Sequence, residues 1–262
     1  MDNALPTVNV FWTGGFDSSY RVLELSKNKV IIQPYYLSDN RKSEKNELNA
    51  IAEITEDIKK HPDTKSTLLP LIIYKTSDVN PDEEISRSHY NLRKFAPLGS
   101  QYDWLARFAK EKKIHGLELG IEKSTSSTVL AVINKLGSIK LISNGKISYY
   151  VIDKENSNPD LYNVLGQFHY PYNLYNMTKI KTLAEYKKLG FEDSINKTWF
   201  CHTPINNLPC GICNPCKSVI TEGMESRLPK SSLTRYKYHR FYELKRIVLK
   251  IFNKINPLKQ KP

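Results

Sequence analysis

Thr7-Val8-Asn9-Val10-Phe11-Trp12-Thr13-Gly14-Gly15-Phe16-Asp17-Ser18-Ser19 is the stretch whose reading decides the fold of this chain. Thr7–Trp12 is apolar and β-branched, as a buried strand requires, and Tyr20–Leu25 takes up helical apolar spacing immediately after the glycines. A strand that turns directly into a helix gathers backbone N–H groups at the positive end of the helix dipole, which favours an anion. Gly14 and Gly15 let the backbone approach closely, and Thr13, Ser18 and Ser19 add hydroxyl donors suited to phosphate oxygens. Asp17 repels phosphate unless a cation stands between them, so Mg²⁺ is implied. A Gly-Gly pair alone also marks an ordinary turn; the preceding strand and the flanking hydroxyls favour the phosphate reading.

Outward from this stretch, strands and helices alternate. Val30–Tyr36 reads as a second strand, Asp39–Lys60 as a helix with Leu48, Ile51, Ile54 and Ile58 on one stripe, and Leu68–Tyr74 as a third strand. After a loop at Thr76–Pro81, Ser100-x-x-Asp103 opens a helix in capping-box fashion, with Leu105, Phe108 and Ala109 inward. Ile114–Ile121 is a fourth strand. The alternation predicts an α/β fold, a doubly wound and mostly parallel sheet. Asn144-Gly145 inside Ile139–Ile152 predicts a hairpin, and Thr178–Leu189, stopped by Gly190, a further helix. Three segments are expected: 1–197 as the α/β domain, 198–226 as a metal-binding segment and 227–262 as a basic helix and tail.

All four cysteines, Cys201, Cys210, Cys213 and Cys216, fall in one C-x8-C-x2-C-x2-C window. Clustering of this kind points to metal rather than to scattered structural thiols. Four thiolates suit Zn²⁺, with Pro209, Gly211 and Pro215 making the tight turns. Two redox disulfides or an iron–sulfur cluster are the alternatives. His202 beside a complete set of four thiolates reads as a neighbour of the site. His61, His89, His115, His169 and His239 show no ligand spacing.

The 262 residues carry 39 Lys+Arg against 27 Asp+Glu, a net charge of +12, with 40% apolar residues, a globular composition. Residues 235–262 hold nine Lys/Arg and one acid, a net +8, so the basic balance mostly describes a tail. There Phe241, Leu244, Val248, Ile251 and Ile255 recur at helical intervals among Lys237, Arg240, Lys245, Arg246, Lys250 and Lys254. A helix docking its stripe on the body or on a second subunit, as in a homodimer, fits that pattern; nucleic-acid binding and anionic membrane contact are the alternatives. Pro257–Pro262 reads as a disordered end. The longest apolar run, Leu68–Tyr74, is too short to span a bilayer, and Met1–Ala4 lacks a signal-peptide opening. A soluble cytoplasmic protein is expected.

The Thr13–Ser19 string resembles the S-G-G-x-D-S signature of the PP-loop ATP pyrophosphatases, with Thr13 in place of the first Ser. In that superfamily, which has a Rossmann-like fold of the HUP type, the loop grips the pyrophosphate of ATP and a substrate oxygen attacks the α-phosphorus, giving an adenylate. The resemblance implies that Thr13, Gly14, Gly15, Phe16, Asp17, Ser18 and Ser19 bind ATP, with Asp17 on Mg²⁺. A GxxxxGK[ST] string and a Rossmann GxGxxG are absent. Together, the loop and the late cysteine cluster resemble the 7-cyano-7-deazaguanine synthase family from about Thr7 to Gly223, including Pro171 followed by Lys179 and the Thr198-Trp199-Phe200-Cys201 approach. That family converts 7-carboxy-7-deazaguanine to an amide and a nitrile with ATP, ammonia and a structural zinc. The resemblance implies an ATP-dependent ligase forming a C–N bond, with Lys179 neutralising charge as pyrophosphate leaves; a solvated lysine at a helix start is the plain alternative.

The departures from the family fall where substrate would be read. Leu37-Ser38-Asp39-Asn40-Arg41 replaces Tyr-Gly-Gln-Arg-His, Pro97-Leu98-Gly99-Ser100-Gln101 replaces Pro-Gly-Arg-Asn, Glu122–Thr128 stands in place of Gly-Tyr-Pro-Asp-Cys-Arg, and Val219 replaces an Arg. A related carboxylate substrate, or acyl transfer to a different amine (a protein or other acceptor in a defence or polysaccharide pathway), is therefore equally in view, as is a PP-loop nucleic-acid modifier. Thiolation would need a cysteine outside the metal site, and there is no fifth cysteine. A third reading is a nucleic-acid-binding module with a vestigial loop, against which stands the intact Gly14-Gly15-x-Asp17-Ser18. Trp12, Tyr35 and Tyr36 lie near strand ends, where they would either stack on adenine or fill the core. Arg41 and Arg93 read as anion contacts or as surface residues, and Trp104 as core.

Overall fold

The computed structural model describes residues 4–124, 127–144 and 147–241. The opening strand–turn–helix is β1 (Thr7–Phe11) and α1 (Phe16–Ser26), followed by β2 (Ile31–Ser38) and α2 (Glu44–Lys60). Helix α2 starts later than its polar approach suggests, because Asn40 takes a left-handed φ of 59° that a right-handed helix cannot include. The third strand is two pieces, β3 (Thr67–Leu68) and β4 (Ile72–Lys75), both paired with β2. Pro70 supplies no ladder donor, and Pro34 of β2 lies across from the interruption, so the pairing breaks where two prolines meet.

Helices α3 (Glu83–Leu92) and α4 (Gln101–Glu111) come next. The expected capping box does not form: Ser100 is itself helical in φ/ψ and makes no cap bond, while Asp103 pairs with Arg107 and accepts from Ser86. Inward Leu105, Phe108 and Ala109 are as expected. The fourth strand shrinks to β5 (Leu117–Glu118), ahead of α5 (Thr128–Leu136). β6 (Ile139–Ser143) and β7 (Ser148–Ile152) make the expected antiparallel hairpin; Gly145 of its turn lies outside the described residues. After α6 (Pro159–Leu165), β8 (Phe168–Pro171) was not foreseen: it runs parallel to β5 and antiparallel to β7, joining the hairpin to the sheet. α7 (Tyr172–Asn176), α8 (Lys179–Lys188) and α9 (Ser194–Lys197) follow, then α10 (Asn214–Thr221) among the cysteines.

The sheet order is β3-β2-β1-β5-β8-β7-β6, with β4 also on β2. The β1–β5 side is parallel throughout and the hairpin is the antiparallel edge. Alternation along the strands divides the core in two. Val8, Val10, Ile32 and Tyr36 pack with α1, α2 and Tyr186 of α8, whereas Phe11, Tyr35, Leu117, Phe168 and Tyr170 pack with α3, α4, α5 and α6. Both faces are thus covered, as a parallel sheet requires. The chain comprises two compact units, 1–40 with 47–199, and 41–46 with the residues from 200 onward. Among the described residues no helix is long and apolar enough to cross a membrane.

Candidate functional site

Chain order reverses at β1: β2 lies on one side of it and β5, reached only after four helices, on the other. Open α/β sheets bind ligands in the crevice outside the carboxyl ends of strands at such a switch point. The Trp12–Gly15 turn sits there, and beside it opens a cleft of about 170 Å³ whose walls include Phe11, Thr13, Asp17, Ser18, Tyr102 and Gly120.

The turn is built to keep backbone close to the cleft. Gly14 has φ +68°, and a Cβ on it would stand 2.5 Å from the Glu47 carbonyl oxygen. Its own carbonyl accepts from the Trp199 amide at 2.8 Å. Gly15 is extended and caps α1 without a side chain, so the first intrahelical bond is Ser19 N–H to Gly15 O, 3.0 Å. The amides of Phe16, Asp17 and Ser18 precede that bond and lie at the helix N-terminus, the positive end of its dipole. Thr13 and Ser18 hydroxyls share a hydrogen bond of 3.2 Å, and the Ser18 hydroxyl also accepts from the Thr13 amide. Opposite them, Gly120 brings the end of β5 so near that a Cβ there would be 3.0 Å from Ser18 N.

Ser19 differs from expectation. Its side chain is fully buried and its hydroxyl accepts from the Trp12 indole N–H at 2.9 Å, so it braces the turn from beneath and offers no hydroxyl to the cleft. Trp12 and Tyr36 are core residues, the latter donating to Glu47 at 2.8 Å, and Tyr35 packs on Phe108; none is displayed for stacking on a base.

Lys179, the first residue of α8, stands at the rim of the turn. Its ammonium lies 5.5 Å from the centroid of the Phe16 ring and 2.9 Å from a Glu122 carboxylate oxygen. Below the turn, Arg21 of α1 makes two 2.7 Å bonds to Glu118 of β5 and a third to Glu24. Burial alone would lower the Arg21 pKa; Glu118 and then Glu24 more than offset it, so the guanidinium is held charged. In the cleft wall, burial pushes the Tyr102 phenol up to about 12, with Gln101 partly opposing, so it stays protonated at neutral pH.

Gly120, Gln101 and Tyr102 line the cleft, and none of them was among the expected site residues. A glycine at the end of a parallel strand was the one available signal. Arg93 is exposed on the surface after α3, and Trp104 packs edge-on against Phe11.

The four cysteines form the second site. Their sulfur atoms all lie within 4.8 Å of one another, with Cys210–Cys216 and Cys201–Cys213 at 3.9 Å. Zn–S bonds of ~2.3 Å in a tetrahedron set S···S edges at about 3.8 Å, so the donor set fits one ion; a four-iron cubane, in which each iron takes its own thiolate, would hold the four sulfurs further apart. All four thiols are free of disulfides. The Cys210 amide donates to Cys201 Sγ at 3.1 Å, and the Ile212 and Cys213 amides and the Thr203 hydroxyl donate to Cys210 Sγ, bonds that favour thiolates. Gly211 makes the turn between two of them at φ +84°, where a Cβ would collide with the Ser232 carbonyl. Arg235 donates to the Cys210 and Pro209 carbonyls from a helix that occupies 230–241. That helix includes the start of the expected basic one; Leu244, Val248, Ile251 and Ile255, Lys245, Arg246, Lys250 and Lys254, and Pro257–Pro262 lie outside the described residues.

No protein-family model matches the chain, and no curated protein does. Among solved structures it is similar to the U34-tRNA thiolase NcsA from Methanococcus maripaludis with its 4Fe-4S cluster, at 15% identity and a TM-score of 0.44 over 91% of this chain and 73% of that one. It is also similar to a 4-thiouridine synthetase in an RNA complex with bound ATP, at 12% identity and a TM-score of 0.35 over 88% of this chain and 53% of that one. Likeness of that extent does not discriminate one chemistry from another, and the chain's own residues must do so.

Proposed function

We propose that this chain is an ATP-dependent adenylating enzyme of the PP-loop type. The reading is carried by the glycine turn at the β1/β5 switch point with a lysine at its rim. The Phe16, Asp17 and Ser18 amides and the Thr13 and Ser18 hydroxyls would hold the departing pyrophosphate. Asp17 would hold Mg²⁺, which supplies charge neutralisation between carboxylate and phosphate. Lys179 would balance the charge that develops as the α–β bridging oxygen leaves with its electron pair. A substrate carboxylate oxygen forms the new bond to the α-phosphorus; an amine nitrogen then attacks the activated carbonyl carbon, gives its proton to solvent and displaces AMP.

The finer reading is amide formation of the 7-cyano-7-deazaguanine synthase kind, on 7-carboxy-7-deazaguanine or a related acid, with ammonia or another amine as acceptor. The Glu122–Thr128 replacement puts a relative with a changed acid or acceptor on an equal footing with the housekeeping substrate. The cysteine cluster would hold Zn²⁺ in a structural role, since four thiolates leave no open position for water. A second reading, adenylation of a nucleic-acid carbonyl, is favoured by the net +8 of residues 235–262. Sulfur transfer of the sort named for the two neighbours would have to use the cluster itself, since all four cysteines lie in it.

Incubation with Mg²⁺, labelled ATP and candidate acids tests the proposal: AMP and pyrophosphate should form together, dependent on the acid. Release of ADP and phosphate instead, or no turnover with acids but turnover with RNA, would overturn the carboxylate reading. Asp17→Asn should lower turnover by about two orders of magnitude or more, loss of one preorganised transition-state contact being worth about 3 kcal/mol, while leaving the melting temperature nearly unchanged.

A further inference from the structure

We infer that Glu122 is the positioning residue for Lys179, a fixed carboxylate that holds the ammonium at the rim of the phosphate turn. This rests on the nucleotide reading of the cleft and deepens it. Three contacts within the first unit carry it. The Glu122–Lys179 pair is 2.9 Å long, with only 11% of the Glu122 side chain and 24% of the Lys179 side chain exposed. The next amide, Lys123 N–H, donates to the Met177 carbonyl at 3.0 Å, which stitches the loop after β5 to the residues that enter α8. Two residues before Glu122, Gly120 lies against Ser18 and Asp17 of the turn. The carboxylate therefore belongs to a segment fixed at both ends, to the turn on one side and to the lysine's own helix on the other.

Lysine is a compact charge on a long flexible stem, and holding it in one rotamer costs side-chain entropy. At a surface an ion pair barely offsets that cost; partly buried, with one partner fixed by its backbone, the pair retains more of its Coulomb gain. The aromatic face of Phe16 adds a second restraint on the same ammonium. Before nucleotide enters, Glu122 keeps the Lys179 charge compensated and aimed at the turn. When charge develops on the leaving pyrophosphate, the ammonium is already within reach and little reorganisation remains. The device lies in Glu122–Thr128, the stretch that stands where the resembled family reads its substrate.

Two measurements on the full chain test it. Competitive acetylation read by mass spectrometry reports the nucleophilicity of Lys179 without any substrate. Glu122→Gln should raise Lys179 labelling at pH 9 several-fold, and Glu122→Asp should stay near wild type, because removing an opposite charge makes the neutral amine easier to reach. In the pyrophosphate-release assay, Glu122→Gln should lower kcat about tenfold with KM for ATP changed less than threefold. Combining it with Lys179→Ala should then add little to Lys179→Ala alone, as expected for residues acting as one unit. Unchanged labelling in Glu122→Gln overturns the inference whatever the enzyme acts on, and so does full additivity of the two losses. Raised labelling in a protein that forms no AMP with any acid supports the positioning role and overturns the adenylation reading instead, so the two failures are told apart.

Discussion

Gly14 is the residue on which the candidate site most depends. Its positive φ and the 2.5 Å approach of a notional Cβ to the Glu47 carbonyl mean that no other residue fits without moving α2 or the turn. Gly14→Ala should cost about 1–3 kcal/mol in denaturant midpoint analysis, the range for strained backbone, and should weaken ATP binding by more than its stability loss explains. Gly15 is extended, and its Cβ would come no nearer than 3.3 Å, to the rotatable Thr13 hydroxyl, so it should tolerate alanine better. His169 makes a residue-scale prediction about acid. Stacked on Tyr149 at 3.8 Å, it has its pKa lowered by burial from 6.5 to about 4. The unfolded chain therefore takes up this proton first. The resulting stability is full above about pH 6.5 and is lost progressively as pH falls from there toward 4. His169→Phe should flatten the fall in melting temperature between pH 7.5 and 4.5 attributable to this group; an unchanged slope would mean the ring is protonated in the fold. At this scale the sequence was informative about residue types but not about directions. Thr13, Gly14, Asp17 and Ser18 are where the motif puts them, whereas Ser19 turns inward because a tryptophan twelve residues into the chain needs an acceptor for its buried indole.

At the scale of elements, α1 and β5 are coupled beneath the turn by Arg21 and Glu118, both almost wholly buried. Removing one member of such a pair leaves an uncompensated charge in the core, so Glu118→Ala should destabilise by about 3–5 kcal/mol, while Arg21→Met with Glu118→Leu should recover much of that loss. Chemical denaturation of the three variants checks it; a Glu118→Ala cost below 1 kcal/mol would show that water reaches Arg21. Helix α4, with its apolar stripe, and α8, stopped by Gly190, were legible to within a residue or two where their ends were expected. Strands were less so. β8 is four residues long and its sequence, Phe-His-Tyr-Pro, has too few positions to show an alternation; it becomes a strand because β5 and β7 each present it an edge. Likewise the third strand is broken by Pro70 opposite Pro34, a pairing of two positions that cannot be seen one residue at a time.

For the molecule as a whole, the division into two units sets what metal removal should do. A structural zinc is worth roughly 10–16 kcal/mol in small zinc modules, far more than the few buried apolar residues of 200–241 provide. Chelation should therefore expose amides in 200–235 to hydrogen exchange, while β1, β2 and β5 keep their protection. Cys213→Ser should bind less than one equivalent of metal and melt at lower temperature; retention of both would remove the structural role. The fold class was readable from alternation alone, whereas the membership of residues 41–46 with the second unit depends on contacts distant in sequence.

The contacts behind Gly211 bear on where the chain can be shortened. The knuckle between the ligands is buttressed from a distance: Ser232 hydroxyl and Arg235 guanidinium both satisfy the Pro209 carbonyl, and Arg235 also takes the Cys210 carbonyl. A protein cut after Leu228 to remove its basic end would strip these carbonyls of donors and open space beside the thiolates, and its ion should exchange faster with a chromogenic chelator. A cut after residue 241 removes six of the nine terminal cations and keeps the buttress whole, so the two cleavage points separate what the positive charge does from what the helix does.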